Sequence, residues 1–206
     1  MDITLDKLEI LWCLGYKKQV IDDAFESLID AMIEKFMQTV NPRYVFEIFD
    51  IILTNHEVEI KNCGLKLTGK GILEHLKNNK KCIVLAATLG VEVDSVLKFL
   101  QMTSMTQAVI FDVCATVYIE KVCSFIEAEL KMLGYNMTFR YSPGYNGFPI
   151  ENQKVILTLV DAQKIGLIFN ENFLLMPQKS VTAVIGITEF NASENQKCVV
   201  CKLQGN

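Results

Sequence analysis

Tyr44-Val45-Phe46-Glu47-Ile48-Phe49-Asp50-Ile51-Ile52 fills nine positions largely with aromatic and β-branched residues, the composition of a strand. Just before it, from Lys17 to Val40, apolar residues fall in two adjacent stripes: Val20, Ala24, Leu28, Met32, Phe36, Val40 and Ile21, Phe25, Ile29, Ile33, Met37. That spacing is one broad helical face, and Asn41-Pro42 ends it. Outward from this pair, Glu57 to Ile60 and Cys82 to Ala87 read as strands. Helices are expected over Ile72 to Lys77, Val91 to Met102 and most of Thr106 to Leu133, where Phe111, Ala115, Tyr118, Val122, Phe125 and Leu130 recur at three to five residues. Asn152 to Asp161 reads as a short helix, and Ile165 to Phe169, Val181 to Glu189 and Cys198 to Leu203 as strands. Helices and strands without regular alternation predict an α+β protein, with helices packed on a twisted, largely antiparallel sheet. Residues 1–40 form an N-terminal helical segment and 41–206 one compact unit.

The 206 residues carry a formal net charge of -4, with lysines and acids mixed and no basic block, so nucleic acid is not an expected partner. No uncharged apolar run approaches the roughly 20 residues that span a bilayer, and Met1-Asp2-Ile3-Thr4-Leu5-Asp6 is acidic rather than signal-like. A cytoplasmic protein with no membrane span is the expectation. Seven cysteines, an odd count without a secretion signal, read as reduced thiols, with Cys13, Cys82, Cys114 and Cys123 in apolar surroundings. Cys198-Val199-Val200-Cys201 supplies two metal ligands where zinc or an iron-sulfur cluster usually takes four, so strand alternation explains it better. His56 and His75 show no ligand spacing and read as structural.

Arg140-Tyr141-Ser142-Pro143-Gly144-Tyr145 is the most informative run. Arg140 is one of two arginines against eighteen lysines, and lysine cannot replace a planar bidentate fork where a carboxylate is gripped in a fixed plane. Pro143 and Gly144 shape a rigid turn displaying Arg140 and Tyr145, and the plain alternative is a surface turn whose arginine packs on a tyrosine. Ala87-Thr88-Leu89-Gly90 leads from a buried strand into a helix, either as a simple turn or as a ligand approach to backbone N–H groups. Glu120 lies on a helix otherwise spotted with apolar residues, so it is either solvated or paired with a cation.

Downstream stand Gly147-Phe148-Pro149-Ile150, then Leu157 to Ala162, Lys164-Ile165-Gly166 and Met176-Pro177-Gln178-Lys179-Ser180-Val181 leading to Ile187. In this order and spacing, with Ala87 to Gly90 and Glu120 upstream, residues of about 40 to 190 resemble the activation, or reactivation, domain of cobalamin-dependent methionine synthase, especially its small stand-alone bacterial forms.

The resemblance implies a module that binds S-adenosylmethionine and supports reductive methylation of a partner's cob(II)alamin, an accessory component of a methyltransferase reaction rather than a complete enzyme. The partner would be the cobalamin-binding part of methionine synthase or another corrinoid protein, with a flavodoxin-like electron donor. It further implies that Arg140 holds the methionyl carboxylate, the backbone of Tyr141, Ser142, Pro143 and Gly144 lines the adenosyl moiety, Tyr145 packs beside the ligand and Glu120 faces its positive end. No residue is assigned to catalysis or to a metal. The chain departs from the family at Ile185, where the long synthases place a ligand-contacting tyrosine, and at the N-terminal aspartate, since Asp2, Asp6, Asp22 and Asp23 all lie in unmatched sequence. The alternative function is a non-catalytic module that docks on a corrinoid protein and shields its cofactor.

Overall fold

The strand β4 (Lys81–Thr88) reads Lys-Cys-Ile-Val-Leu-Ala-Ala-Thr, and every residue after Lys81 is buried. A strand buried on both faces has to lie inside the sheet with material packed above and below it. The computed structural model describes residues 3–16 and 19–188. In it, β4 runs antiparallel between β1 (Arg43–Leu53) and β8 (Ser180–Thr188), with Tyr44 opposite Ala87 and Val84 opposite Val184. β1 continues past β4 to pair with β2 (Glu57–Ile60), β2 pairs with β3 (Lys66–Thr68), and β5 (Asn136–Met137) closes the far edge. The resulting order β3-β2-β1-β4-β8-β5 is antiparallel at each junction, and the sheet curls.

Alternation along β4 feeds two cores. Ile83, Leu85 and Ala87, with Ile185 of β8, face a layer made by α1 (Lys7–Cys13), α2 (Asp23–Thr39), α4 (Val91–Thr103) and α5 (Met105–Met132). Cys82, Val84 and Ala86, with Val184, face α3 (Lys70–Leu76), α6 (Asn152–Leu159) and Phe148. At 28 residues α5 is about 42 Å long and forms the spine of the helical layer. Phe36 of α2 is fully buried and meets the rings of Phe111 and Tyr118 edge-on at 5.4 and 5.3 Å. On the other face the buried Asn152 gives Thr68 a substitute strand partner, accepting from its N–H at 2.8 Å and donating to its carbonyl at 3.1 Å.

The α+β class and the antiparallel sheet agree with the sequence expectation, but several elements differ. The helix expected from Lys17 begins at Asp23, because the Asp22 carboxylate accepts the Phe25 N–H at 2.7 Å and caps it there; Val20 is fully exposed. The helix α1, capped by Asp6, is not apparent in the apolar spacing. The expected strand Ile165 to Phe169 is shorter than that: Ile165 ends a 3-10 turn, Ala162–Ile165, bracketed by the left-handed residues Asp161 and Gly166, so the strand starts only at Ile168. Two residues of it, β6 (Ile168–Phe169), pair with β7 (Leu175–Met176). Cys13 is exposed, not buried: α1 is short and places only Ile10 fully inside. Cys82, Cys114 and Cys123 are buried, and burial pushes each thiol up to about 12. The expected strand Cys198 to Leu203, with its cysteine pair, lies outside the described residues. Among the described residues, no helix is long and apolar enough to cross a membrane.

Candidate functional site

Strand-like alternation decides which way Arg140 points. Beyond β5 the chain stays against the edge of β8: Thr138 N–H donates to Gly186 O at 2.9 Å, and Tyr141 and Val184 exchange both backbone bonds at 3.0 and 2.9 Å. Phe139 and Tyr141 therefore share one face, where both rings meet His75 of α3, at 4.7 and 4.9 Å. Arg140, between them, points to the other face and meets α5. Its Nε donates to Glu127 Oε1 at 2.5 Å and its Nη2 to Glu120 Oε2 at 2.9 Å.

Glu120, Cys123 and Glu127 stand three and four residues apart, so one stripe of α5 carries them all. The Arg140 side chain is 20% exposed, Glu127 30% and Glu120 58%. Desolvation works against the charged guanidinium, but Cys123, Glu120 and Glu127 on α5 together outweigh it, and the net effect raises an already high pKa. Glu120 is thus paired with a cation belonging to the chain itself. Further along the same stripe, Lys179 Nζ bonds Asp112 at 2.8 Å and the Thr116 hydroxyl at 2.9 Å, tying the entrance of β8 to α5.

The turn after Arg140 is held from beneath. Tyr141 lies between His75 and the buried Phe148, parallel to the latter within 5° at 5.7 Å, and its hydroxyl donates to Asn146 O at 2.8 Å. Its side chain belongs to the second core, which leaves only its backbone for a ligand. Gly144, at φ +92°, donates to Phe148 O at 2.7 Å, and the Phe148 N–H returns to Tyr145 O at 2.8 Å. Pro143 is buried, Ser142 half-buried, and Tyr145 is exposed. Gly71 sits so close that a Cβ there would strike Asn146 O and the Tyr141 hydroxyl, so α3 acts as the template for the turn.

His75 has a second role at this base. Its Nε2 lies 3.0 Å from the Thr138 hydroxyl, which also accepts the Gly186 N–H at 2.8 Å. Burial lowers its pKa from 6.5 to about 4, keeping the ring neutral beneath the turn.

Ala87 to Gly90 spends its polar groups internally: Leu89 N–H donates to Lys179 O, Asn41 N–H to Leu89 O, and Ser180 Oγ to the fully buried Thr88 Oγ1 at 2.8 Å. Asp94, in the first turn of α4, accepts the Gln178 N–H at 2.7 Å. Ile185 is fully buried in the helical core. Asp6 and Asp22 are spent as helix caps. No group of three or more metal-ligating side chains occurs among the described residues.

The structure therefore joins Arg140 and Glu120, sets Tyr145 at the exposed tip of the same turn, and turns the Tyr141 ring away. Sequence reasoning missed Glu127, Lys179 and the work of His75. The spacing of Glu120, Cys123 and Glu127 was the available signal, for it marks one polar strip on a mostly apolar helix.

No protein-family model matches the chain, and no curated protein matches it. Thirteen chains of solved structures do match. One is the crystal structure of the MetH reactivation domain bound to AdoHcy, with a TM-score of 0.63 and 17% identity, covering 96% of this chain and 73% of that one. At that identity the likeness establishes the fold: the chain has the α+β architecture and curled antiparallel sheet of that domain.

Proposed function

We propose that the rim formed by Arg140, Glu120 and the Ser142–Tyr145 turn binds the S-adenosylmethionine class of ligand, and that the protein is a reactivation module for cobalamin-dependent methionine synthase. The observation that carries this reading is the Arg140–Glu120 pair, a cation and an anion 2.9 Å apart on the surface of a fold shared with a domain seen with AdoHcy. An amino-acid head group bears both charges, so it can exchange one internal ion pair for two across the interface. Neither carboxylate takes Nη1 of Arg140, and Glu120, more than half exposed, loses little by turning away. The residues present thus suit such a ligand.

Arg140 would hold the carboxylate, Glu120 would meet the ammonium or sulfonium, and the exposed Tyr145 would cover the ligand from the turn. S-adenosylmethionine supplies a methyl group on a sulfonium that is already a good leaving group, so the protein's share is orientation and charge placement rather than proton transfer. Neither histidine sits in the Asp-x-His-x-x-Gly motif by which corrinoid carriers anchor cobalamin: His56 follows Thr54-Asn55 and His75 follows Leu73-Glu74. The corrin therefore belongs to a partner chain, met transiently through the Arg140 face with a modest interface. The competing reading, a docking module that shields a corrinoid protein without ligand chemistry, draws on the double internal pairing of Arg140 and on the buried Ile185.

Calorimetric titration of the purified protein with S-adenosylmethionine and S-adenosylhomocysteine separates the two. Saturable binding that Arg140→Lys weakens by about tenfold or more supports the first, since one charge-assisted contact is worth roughly 1.5 to 3 kcal/mol. No binding, together with capture of a cobalamin-loaded methionine synthase fragment, supports the second.

A further inference from the structure

Arg140 meets two carboxylates that are not equivalent. Glu127 is the less exposed and takes Nε, the nitrogen inside the side chain; Glu120 is the more exposed and takes Nη2, a terminal one. A bond to Nε fixes the plane of the fork and leaves both terminal nitrogens unspent, whereas a bond to Nη2 uses half of the edge that grips a carboxylate end-on. Between the two acids the stripe carries Cys123, fully buried, so the guanidinium rests against α5.

We propose that Glu127 is the positioning residue of this site: it holds Arg140 through Nε so that Nη1 and Nη2 remain a matched pair for a ligand carboxylate, while Glu120 is the acid that yields. This rests on the reading of Arg140 as the carboxylate anchor. It assigns the two acids different fates on binding. Glu127 keeps its bond in the free and the liganded protein, and Glu120 exchanges Arg140 for the positive end of the ligand. Four charges of alternating sign, Glu127, Arg140, ligand carboxylate and ligand cation, then run in series to Glu120 with none left unpaired. A ligand without the carboxylate gains nothing from Glu127.

Two measurements test it. The chain has two arginines, so NMR of the ligand-free protein shows two Nε–H signals to assign. The Arg140 signal is expected to exchange slowly in the wild type, in Glu127→Gln, whose amide oxygen still accepts, and in Glu120→Ala, and to lose its protection in Glu127→Ala. Calorimetry with S-adenosylhomocysteine and with 5′-methylthioadenosine, which lacks the amino-acid head, gives the second readout. Glu127→Ala is expected to weaken the first ligand about tenfold and leave the second unchanged, with Glu127→Gln within about threefold of wild type for both. The inference is overturned if Glu127→Ala keeps a protected Arg140 Nε–H, binds S-adenosylhomocysteine as the wild type does, or loses both ligands equally, as general damage to the fold would cause. A Glu127→Gln variant as weak as Glu127→Ala overturns it too. A wild type that binds neither ligand removes the carboxylate anchor itself, a failure distinct from these because the ligand-free exchange pattern still reports the Glu127 contact.

Discussion

Replacing His75 by phenylalanine should flatten the acid limb of the stability curve. The folded ring has its pKa lowered from 6.5 to about 4 by burial against Phe139 and Tyr141, with Nε2 facing the Thr138 hydroxyl. Because the folded pKa is the lower one, the unfolded chain binds the extra proton between these values, and stability falls as pH drops through the window. Above pH 6.5 the ring is neutral in both states and contributes no pH dependence; below about 4 it is charged in both and the loss levels off. A gap of this size corresponds to at most about 3.4 kcal/mol, of which about 2.4 kcal/mol is lost between pH 7 and 4.5. For a chain of this length that is a fall of roughly 5 to 10 °C in Tm. Phenylalanine keeps an aromatic ring in the cluster and removes the titration. Denaturant unfolding of wild type and His75→Phe at several pH values between 7 and 4.5 measures the difference directly. If the variant loses as much stability as the wild type across that interval, His75 is not held neutral and the proposed base of the Arg140 turn is wrong.

Three further outcomes are expected. Arg140→Lys should weaken S-adenosylhomocysteine about tenfold by calorimetry while Tm changes by only a few degrees, since lysine can still pair with Glu127. Gly71→Ala should push on Asn146 and Tyr141, costing roughly 1 to 3 kcal/mol in urea unfolding and reducing ligand affinity by moving the turn; unaltered affinity would show the turn independent of α3. Phe36→Ala should cost about 3 to 5 kcal/mol by thermal unfolding, because the emptied space lies between Phe111 and Tyr118 and is sealed by α5; a loss below about 1 kcal/mol would contradict that packing.

Periodicity made most of the fold legible. The unbroken apolar run of β4, the aromatic and β-branched residues of β1 and the stripes of α2, α4 and α5 are local signals, each stating how much of one segment must leave water. Boundaries were less legible, because a cap such as Asp22 overrides an apolar stripe that starts earlier, and the pairing of β5 with β8 rests on two residues.

By itself the sequence determined the type of most of the longer segments, that helices pack on a largely antiparallel sheet, and that Arg140 is the unusual cation. Those properties follow from composition and spacing within a few turns of chain. Only the tertiary structure decided what Arg140 does. Its two acids lie 13 and 20 residues away on a helix that reaches it because β5 and the following residues line the edge of β8 beneath α5. The same holds for His75, brought under Tyr141 from 66 positions upstream by the α3 layer. Charge pairing and burial of this kind depend on distance in space, and the register that sets those distances is a property of the packed sheet rather than of any single segment.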